Sequence, residues 1–326
     1  MAYSVPIRVR SYRSGDETSI MDGFNSVFGL ERGSDYWRWK FLHHGAAIAS
    51  VAVDDEHTVH AHIAAHPITW HSHRTQIFAA HAGDAFALPL SESIHSRAMV
   101  KTLFNLHKEQ RSRGEIQLLF GFPSSTLSAL HHTQSPLQDA PSVIKRWCLD
   151  RLDESLSHSG EYSVEIVIAN PNSVDTFWQR VSARYALIAQ RDWKWINWRF
   201  LQRPDVDNYE YLPCHSSAGT LRAWAVIREL DGCLWICDLL WDGVDTSSLE
   251  KLLRYIAHLA LTRQLSKTVM WLQGDAAAID VLKALGWRDD SQAHQVTLSM
   301  HPYDTSLDYD WLEKSLYITK ADSDLI

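Results

Sequence analysis

The stretch YWRWKFL at residues 36–42 sets two tryptophans, a tyrosine, a phenylalanine and two cations into seven positions, and a looser copy, INWRFLQ, returns at 196–202. The first stretch reads as a short helix capped by Ser34 or Asp35. Its Trp39-Lys40-Phe41 lies 159 residues before Trp198-Arg199-Phe200, and Gly121 and Gly274, at the ends of two apolar runs, lie 153 apart. Two markers with nearly one offset predict an internal duplication. A chain of 326 residues suits two domains. We place them at 1–150 and 161–326, joined by the polar stretch DRLDESLSHSGE.

Working outward, IRVRSY (7–12) reads as a strand, and a helix follows whose apolar positions Ile20, Met21, Phe24, Val27 and Phe28 keep helical spacing. After the Trp-rich helix, residues 46–54, 58–70 and 75–89 are rich in small and β-branched residues, as in an antiparallel meander. Residues 93–113 predict a long amphipathic helix ending at Gly114, followed by the strand IQLLFG (116–121) and a short helix near 124–132. The second half repeats this order from YSVEIVIA (162–169) to a closing strand, HQVTLSM. Strands and helices in this mixture give an α/β class with a mixed sheet.

No segment approaches the roughly 20 consecutive apolar residues of a membrane span, and the amino terminus lacks the apolar core of a signal peptide. These features predict a cytoplasmic protein without membrane insertion. A net charge of −8 with no run of Lys and Arg argues against nucleic acid as a partner. Cys148, Cys214, Cys233 and Cys237 are scattered and read as buried thiols.

The order of elements, together with YWRWKFL, LLFGFPSS (118–125), WINWRFLQRP (195–204), ALGW (284–287) and the closing SLYITKADSD, resembles bacterial tandem-GNAT (GCN5-related) N-acyltransferases of the polysaccharide and nucleotide-amino-sugar type. The resemblance implies two tandem GNAT-like domains and a coenzyme A thioester, acetyl-CoA or longer, as co-substrate, without a metal. It implies acyl transfer to the amine of a nucleotide-linked amino sugar or related small-molecule acceptor; whether the chain forms a homodimer is open. Related readings are a tandem-GNAT transferase using a carrier-protein thioester or aminoacyl-tRNA, and a non-catalytic GNAT-fold binding protein.

In this family a glycine-rich loop lets backbone N–H groups wrap the pyrophosphate at a helix start. Here no glycine occurs between Gly83 and Gly114. The resemblance places the cofactor at Ala87, Leu88, Ser91, Ser93, His95, Ser96 and Arg97, where hydroxyls and a cation stand in for the glycines. Ser91 or Ser93 as a simple helix cap beside a decayed site is the other reading. In the second half, Asp242 and Asp245 would repel phosphates, so the first half is expected to bind coenzyme A and the second to shape the acceptor pocket.

The resemblance points to Asp84, with His81, as the group that accepts the amine proton, although each also reads as a structural side chain. The tyrosine that many GNAT enzymes use as general acid is absent from the segment after Gly121, so Ser124, Ser125, a water or a tyrosine of the other unit would have to serve. Trp37, Trp39 and Trp198 read as core first, and with Phe122, Ser124 and Ser125 as the candidate acceptor surface. The His-x-His pairs at 60/62 and 71/73 have metal-like geometry but no carboxylate or Cys at ligand spacing in the sequence, and no metal is expected.

Overall fold

The computed structural model describes residues 6–43, 45, 47–73, 75–89, 92–123, 142–150, 162–167, 170–204 and 208–324, with the side chains of 92–96, 142 and 162 excepted. The expected linker from 151 onward and the expected helix near 124–132 lie outside the described residues. Two units are present: one is Met1–Thr69 with Ile77–Pro141 and Leu298–Leu307, the other Trp70–Gln76 with Ser142–Thr297 and Asp308–Ile326.

Unit 1 follows the order read from sequence: β1 (Arg8–Ser11), α1 (Glu17–Phe28), α2 (Ser34–Leu42), β2 (Ile48–Val53), β3 (Val59–Ser72), β4 (Gln76–Ala87), α3 (Glu92–Arg113) and β5 (Leu118–Gly121). Its sheet runs β1-β2-β3-β4-β5 and is closed by β15 (Thr297–Pro302). The β1/β2 and β2/β3 pairs are antiparallel, β4 and β5 are parallel, and β15 lies antiparallel to β5 with Ser299 opposite Gly121.

Period-two alternation assigns the two faces. Ile48, Ala52, Ala61, Ile63, Ala65 and Ala80 pack against Ala98, Met99, Leu103 and Leu106 of α3. On the opposite face, Ala49, Val51, Val59, Ala64 and Phe86 pack against Ile20, Met21 and Phe24 of α1 and Trp37 and Phe41 of α2. Along β4, Ala80 and Ala82 face α3, and so do Ala85 and Ala87. The alternation therefore slips by one residue at Gly83–Asp84, and Asp84 adopts a left-handed backbone with φ +50°. This is a β-bulge, the device that bends one strand away from its neighbour.

Unit 2 contains β6 (Ser142–Val143), β7 (Arg146–Leu149), β8 (Tyr162–Val164), α4 (Pro171–Val181), β9 (Leu187–Ala189) and α5 (Trp193–Ile196), which continues as a π-helical turn over Asn197–Leu201. Then come β10 (Glu210–Ser216), β11 (Leu221–Leu230), β12 (Cys233–Trp241), α6 (Thr246–Thr262), β13 (Lys267–Trp271), α7 (Ala276–Ala284), β14 (Arg288–Asp289), α8 (Tyr309–Ser315) and β16 (Leu316–Tyr317). Its sheet order is β8-β10-β11-β12-β13-β7-β14, with only the β12/β13 pair parallel. This repeats the order of unit 1. The place that β15 takes in unit 1 is taken in unit 2 by β7.

The closing strand read from sequence as the last of the second half thus completes the sheet of unit 1, while Arg146–Leu149, amino-terminal to the polar stretch, belongs to unit 2. Arg146–Leu149 is buried at every position and Thr297–Pro302 alternates, and neither local pattern names a partner strand. All four cysteines are free and buried.

Candidate active site

The end of the parallel pair in unit 1 carries two of the candidate residues, His81 and Asp84, on β4. The β4/β5 register stops at Ala82 opposite Gly121, yet β4 continues five residues to Ala87. A Cβ on Gly121 would stand 2.9 Å from the Ala82 carbonyl oxygen, so glycine permits this closeness where the two strands begin to part.

Asp84 sits at the bend. Its carboxylate accepts a hydrogen bond from Lys40 Nζ at 2.6 Å, and both side chains are buried. Trp37, one helical turn before Lys40, donates its indole N–H to His62 Nε2 at 3.2 Å. Because an indole can only donate, His62 carries its proton on Nδ1 and donates it to the Asp84 carbonyl at 2.8 Å. Burial pushes His62 down to about 4, which keeps the ring neutral. Helix α2 therefore clamps the bulge twice: Lys40 takes the Asp84 side chain, and Trp37 takes its backbone through His62. This gives the amino-terminal Trp-rich motif a role besides apolar packing.

His81 lies one strand turn before the bulge, buried, opposite Phe120 of β5. Its ring is 5.0 Å from that of His66 and 5.7 Å from that of Phe122, the first residue past β5. Ala87 and Leu88 are half-buried, and the Leu88 N–H donates to the His60 carbonyl. Ser91, Ser124 and Ser125 lie outside the described residues. Ser93, His95 and Ser96 fall in the opening turns of α3, and Arg97 follows as an exposed cation. Trp37 is fully buried and Trp198, in unit 2, is 1% exposed, whereas Trp39 is half-buried with its ring 5.2 Å from Tyr36.

The histidine pairs resolve into separate roles. His60 meets Asp54 at 2.7 Å, a carboxylate partner that sequence spacing did not reveal, and His71 packs edge-on against Trp178. Among the described residues no group of three or more His, Cys, Asp or Glu could hold a metal ion.

Unit 2 repeats the strand geometry and fills it differently. The β12/β13 register ends at Ile236 opposite Met270, and β12 continues five residues to Trp241. Asp238 stands two residues past the last paired position, as Asp84 does in unit 1, and Cys237 is the bulged residue before it. Asp238 is held by Arg191 at 3.2 Å and by the Thr319 hydroxyl at 2.8 Å, and Arg191 also pairs with Asp322 at 2.7 Å, all with negligible exposure. Neither Lys40 nor Arg191 was singled out from sequence as a carboxylate partner. Each pair spans more than 40 residues, beyond the reach of local periodicity.

The carboxy-terminal segment occupies the opening in unit 2. Ile318 bridges Gln273 in both directions at 3.2 Å, and the Tyr317 hydroxyl donates to the Leu239 carbonyl. A Cβ on Gly274 would lie 2.3 Å from the Leu316 carbonyl oxygen, so this glycine, with φ +81°, admits the segment. Register makes Met270, not Gly274, the counterpart of Gly121. At the start of α6, Asp245 accepts from the Ser247 N–H at 2.9 Å and Asp242 accepts from the Val244 N–H at 3.0 Å. Carboxylates already satisfy donors that an anion would otherwise use.

No protein-family model and no curated protein matches the chain. Solved structures do resemble it. A protein of Enterococcus faecalis, named a probable N-acyltransferase, superposes with a TM-score of 0.68 at 13% identity over 92% of this chain and 73% of that one. A GCN5-related N-acetyltransferase from Anabaena variabilis gives 0.67 at 13% identity, over 91% and 73%. N-myristoyltransferase of Saccharomyces cerevisiae with bound myristoyl-CoA gives 0.63 at 10% identity, over 93% and 81%. At such identities the likeness establishes the fold: the chain is a mixed α/β protein with the GNAT architecture.

Proposed function

We propose that the chain is an N-acyltransferase that takes its acyl group from a coenzyme A thioester held by unit 1. The observation that carries this reading is the contrast between two equivalent strand ends. In unit 2 the opening past Ile236 is taken by the chain's own Tyr317 and Ile318, and the Asp245 carboxylate caps the helix that follows. In unit 1 the corresponding stretch, Gly83–Ala87, leads through Leu88 and Pro89 into α3 with Arg97 near its start. Backbone groups along the edge of β4 past its pairing with β5 suit an amide-bearing pantetheine arm, and a helix start with a nearby cation suits phosphates. The thioester supplies an activated acyl carbonyl when bound.

Of the two candidate bases, Asp84 is committed to Lys40, and we assign it to fixing the bend of β4. His81, whose ring meets Phe122 beside the end of β5, is assigned to accept the amine proton. The amine nitrogen forms a bond to the acyl carbon, the carbon–sulfur bond breaks, and the thiolate takes a proton as it leaves. The acceptor we favour is an amino sugar carried on a nucleotide. The half-buried ring of Trp39 in unit 1 is of a kind that stacks on a sugar face. The absence of glycine between Gly83 and Gly114 favours a second reading, a GNAT-fold binding protein without turnover.

A thiol-release assay with acetyl-CoA and a panel of nucleotide-linked amino sugars tests the proposal. The expected result is amine-dependent release that drops by ~10²–10⁴ in His81→Gln while acetyl-CoA affinity stays unchanged. Binding of acetyl-CoA without release for any amine would leave the binding-protein reading in its place.

A further inference from the structure

The connection between α1 and α2 in unit 1 is tied down by one residue. The Asn25 carbonyl accepts from the Gly29 N–H at 2.8 Å and the Leu30 N–H at 3.2 Å, and Gly29 takes the left-handed backbone that ends α1. The Asn25 side-chain amide then reaches Arg32, accepting from its N–H at 3.0 Å and donating to its carbonyl at 2.8 Å. These four bonds fix the backbone from which the Arg32 side chain leaves.

Lys40, Arg10 and Arg38 of unit 1 each meet a carboxylate, on Asp84, Asp16 and Glu17. Arg32 does not. Its guanidinium lies over the Tyr36 ring, with Cζ 4.1 Å from the centroid, and 5.7 Å from the centroid of Phe24. Among the described residues its nitrogens meet no carboxylate or carbonyl, and all three are in contact with solvent although the side chain is half-buried. Glu31 and Asp35 flank it in sequence, both exposed and neither within ion-pair distance. A guanidinium held flat on a ring keeps its planar fork of donors in place, and that fork takes a phosphate or carboxylate through two bonds.

The neighbours favour phosphate. Tyr36 also meets the half-buried Trp39 ring, at 5.2 Å, so a cation and an indole stand on either side of one phenol. Phe24 meets Phe86 at 6.4 Å, and Phe86 lies two residues past Asp84, on the part of β4 assigned to the cofactor. In a nucleotide-linked sugar the diphosphate is bonded to the sugar ring, so a sugar stacked on Trp39 carries its charge toward a neighbouring cation. We propose that Arg32 binds the diphosphate of the acceptor and so selects a nucleotide-linked amino sugar over the free one. The kind of acceptor rests on the acyl-transfer reading.

The probe is uridine 5′-diphosphate, titrated calorimetrically into the full chain with saturating acetyl-CoA at constant ionic strength. Saturable binding is expected, weakened at least about tenfold in Arg32→Gln, with acetyl-CoA affinity the same in both proteins. Should Arg32→Gln fail to fold, Arg32→Lys, which keeps the charge but loses the planar fork, carries the same comparison and the same expected direction. No saturable binding to the wild-type chain, or equal affinity in the folded variant, overturns the proposal. A matching loss of acetyl-CoA affinity also overturns it, because Arg32 then serves the phosphates of the cofactor. Failure of the acyl-transfer reading itself looks different: thiol release is absent for every amine, whether or not uridine diphosphate binds.

Discussion

Replacing Lys40 by Met removes the cation that holds Asp84 at the bend of β4. The pair is 2.6 Å long, and its side chains are 2% and 4% exposed, so water screens it little. Deleting one partner of a buried pair typically costs about 3–5 kcal/mol, because the remaining charge is stranded. That is a large share of the ~5–15 kcal/mol that stabilises an ordinary domain. Asp84→Asn should cost a comparable amount, because the buried ammonium loses its carboxylate. The double variant Lys40→Met with Asp84→Asn strands no charge and should recover much of the loss, giving a coupling of at least about 2 kcal/mol. Urea unfolding read by hydrogen exchange of unit 1 peptides measures all four corners of the cycle without assuming that the two units unfold together. Additive losses, or a Lys40→Met loss below about 1 kcal/mol, would refute the clamp.

Three further outcomes are expected. Tyr317→Phe leaves the buried Leu239 carbonyl without its hydroxyl donor and should destabilise unit 2 by about 1–3 kcal/mol in urea unfolding, with coenzyme A affinity unchanged. His62 is held neutral to about 4 in the folded chain, whereas an unfolded histidine takes up its proton near 6.5. Its contribution is therefore complete above about 6.5 and lost as pH falls through about 4, roughly 3 kcal/mol in all; His62→Gln should show a correspondingly shallower acid loss in denaturation at stepped pH. Arg97→Glu puts an anion near the start of α3 and should weaken acetyl-CoA binding at least about tenfold by calorimetry in the folded variant.

The element order was legible because local periodicity reports burial: α1, α3 and α6 show their apolar faces, and the three meander strands of each half read as extended. The duplication was read from two markers, Trp39-Lys40-Phe41 with Trp198-Arg199-Phe200 and Gly121 with Gly274, and register withdraws the second. Three features were hidden. Strands β7, buried throughout, and β15, which alternates, carry no address in their local pattern, so their membership in the other half's sheet is a matter of long-range pairing. Gly274 looked like a copy of Gly121, yet one admits the Leu316 backbone and the other the neighbouring strand. Lys40 and Arg199 occupy matched positions in the two motifs, but one meets the Asp84 carboxylate and the other two backbone carbonyls, a divergence set by partners 44 and more than 120 residues away. Asp84 itself was visible as a candidate, while the left-handed backbone that makes it a bend was not, since nothing but the surrounding pairing requires it.

Hydrogen exchange with mass analysis, with and without saturating coenzyme A, tests directly whether unit 1 holds the cofactor. The expected result is slowed exchange in peptides covering Gly83–Leu88 and the first turns of α3, with no change over Leu239–Leu249, Gln273–Val296 and Tyr309–Ile318 of unit 2. Protection confined to the unit 2 peptides, or none in either unit, would contradict the assignment.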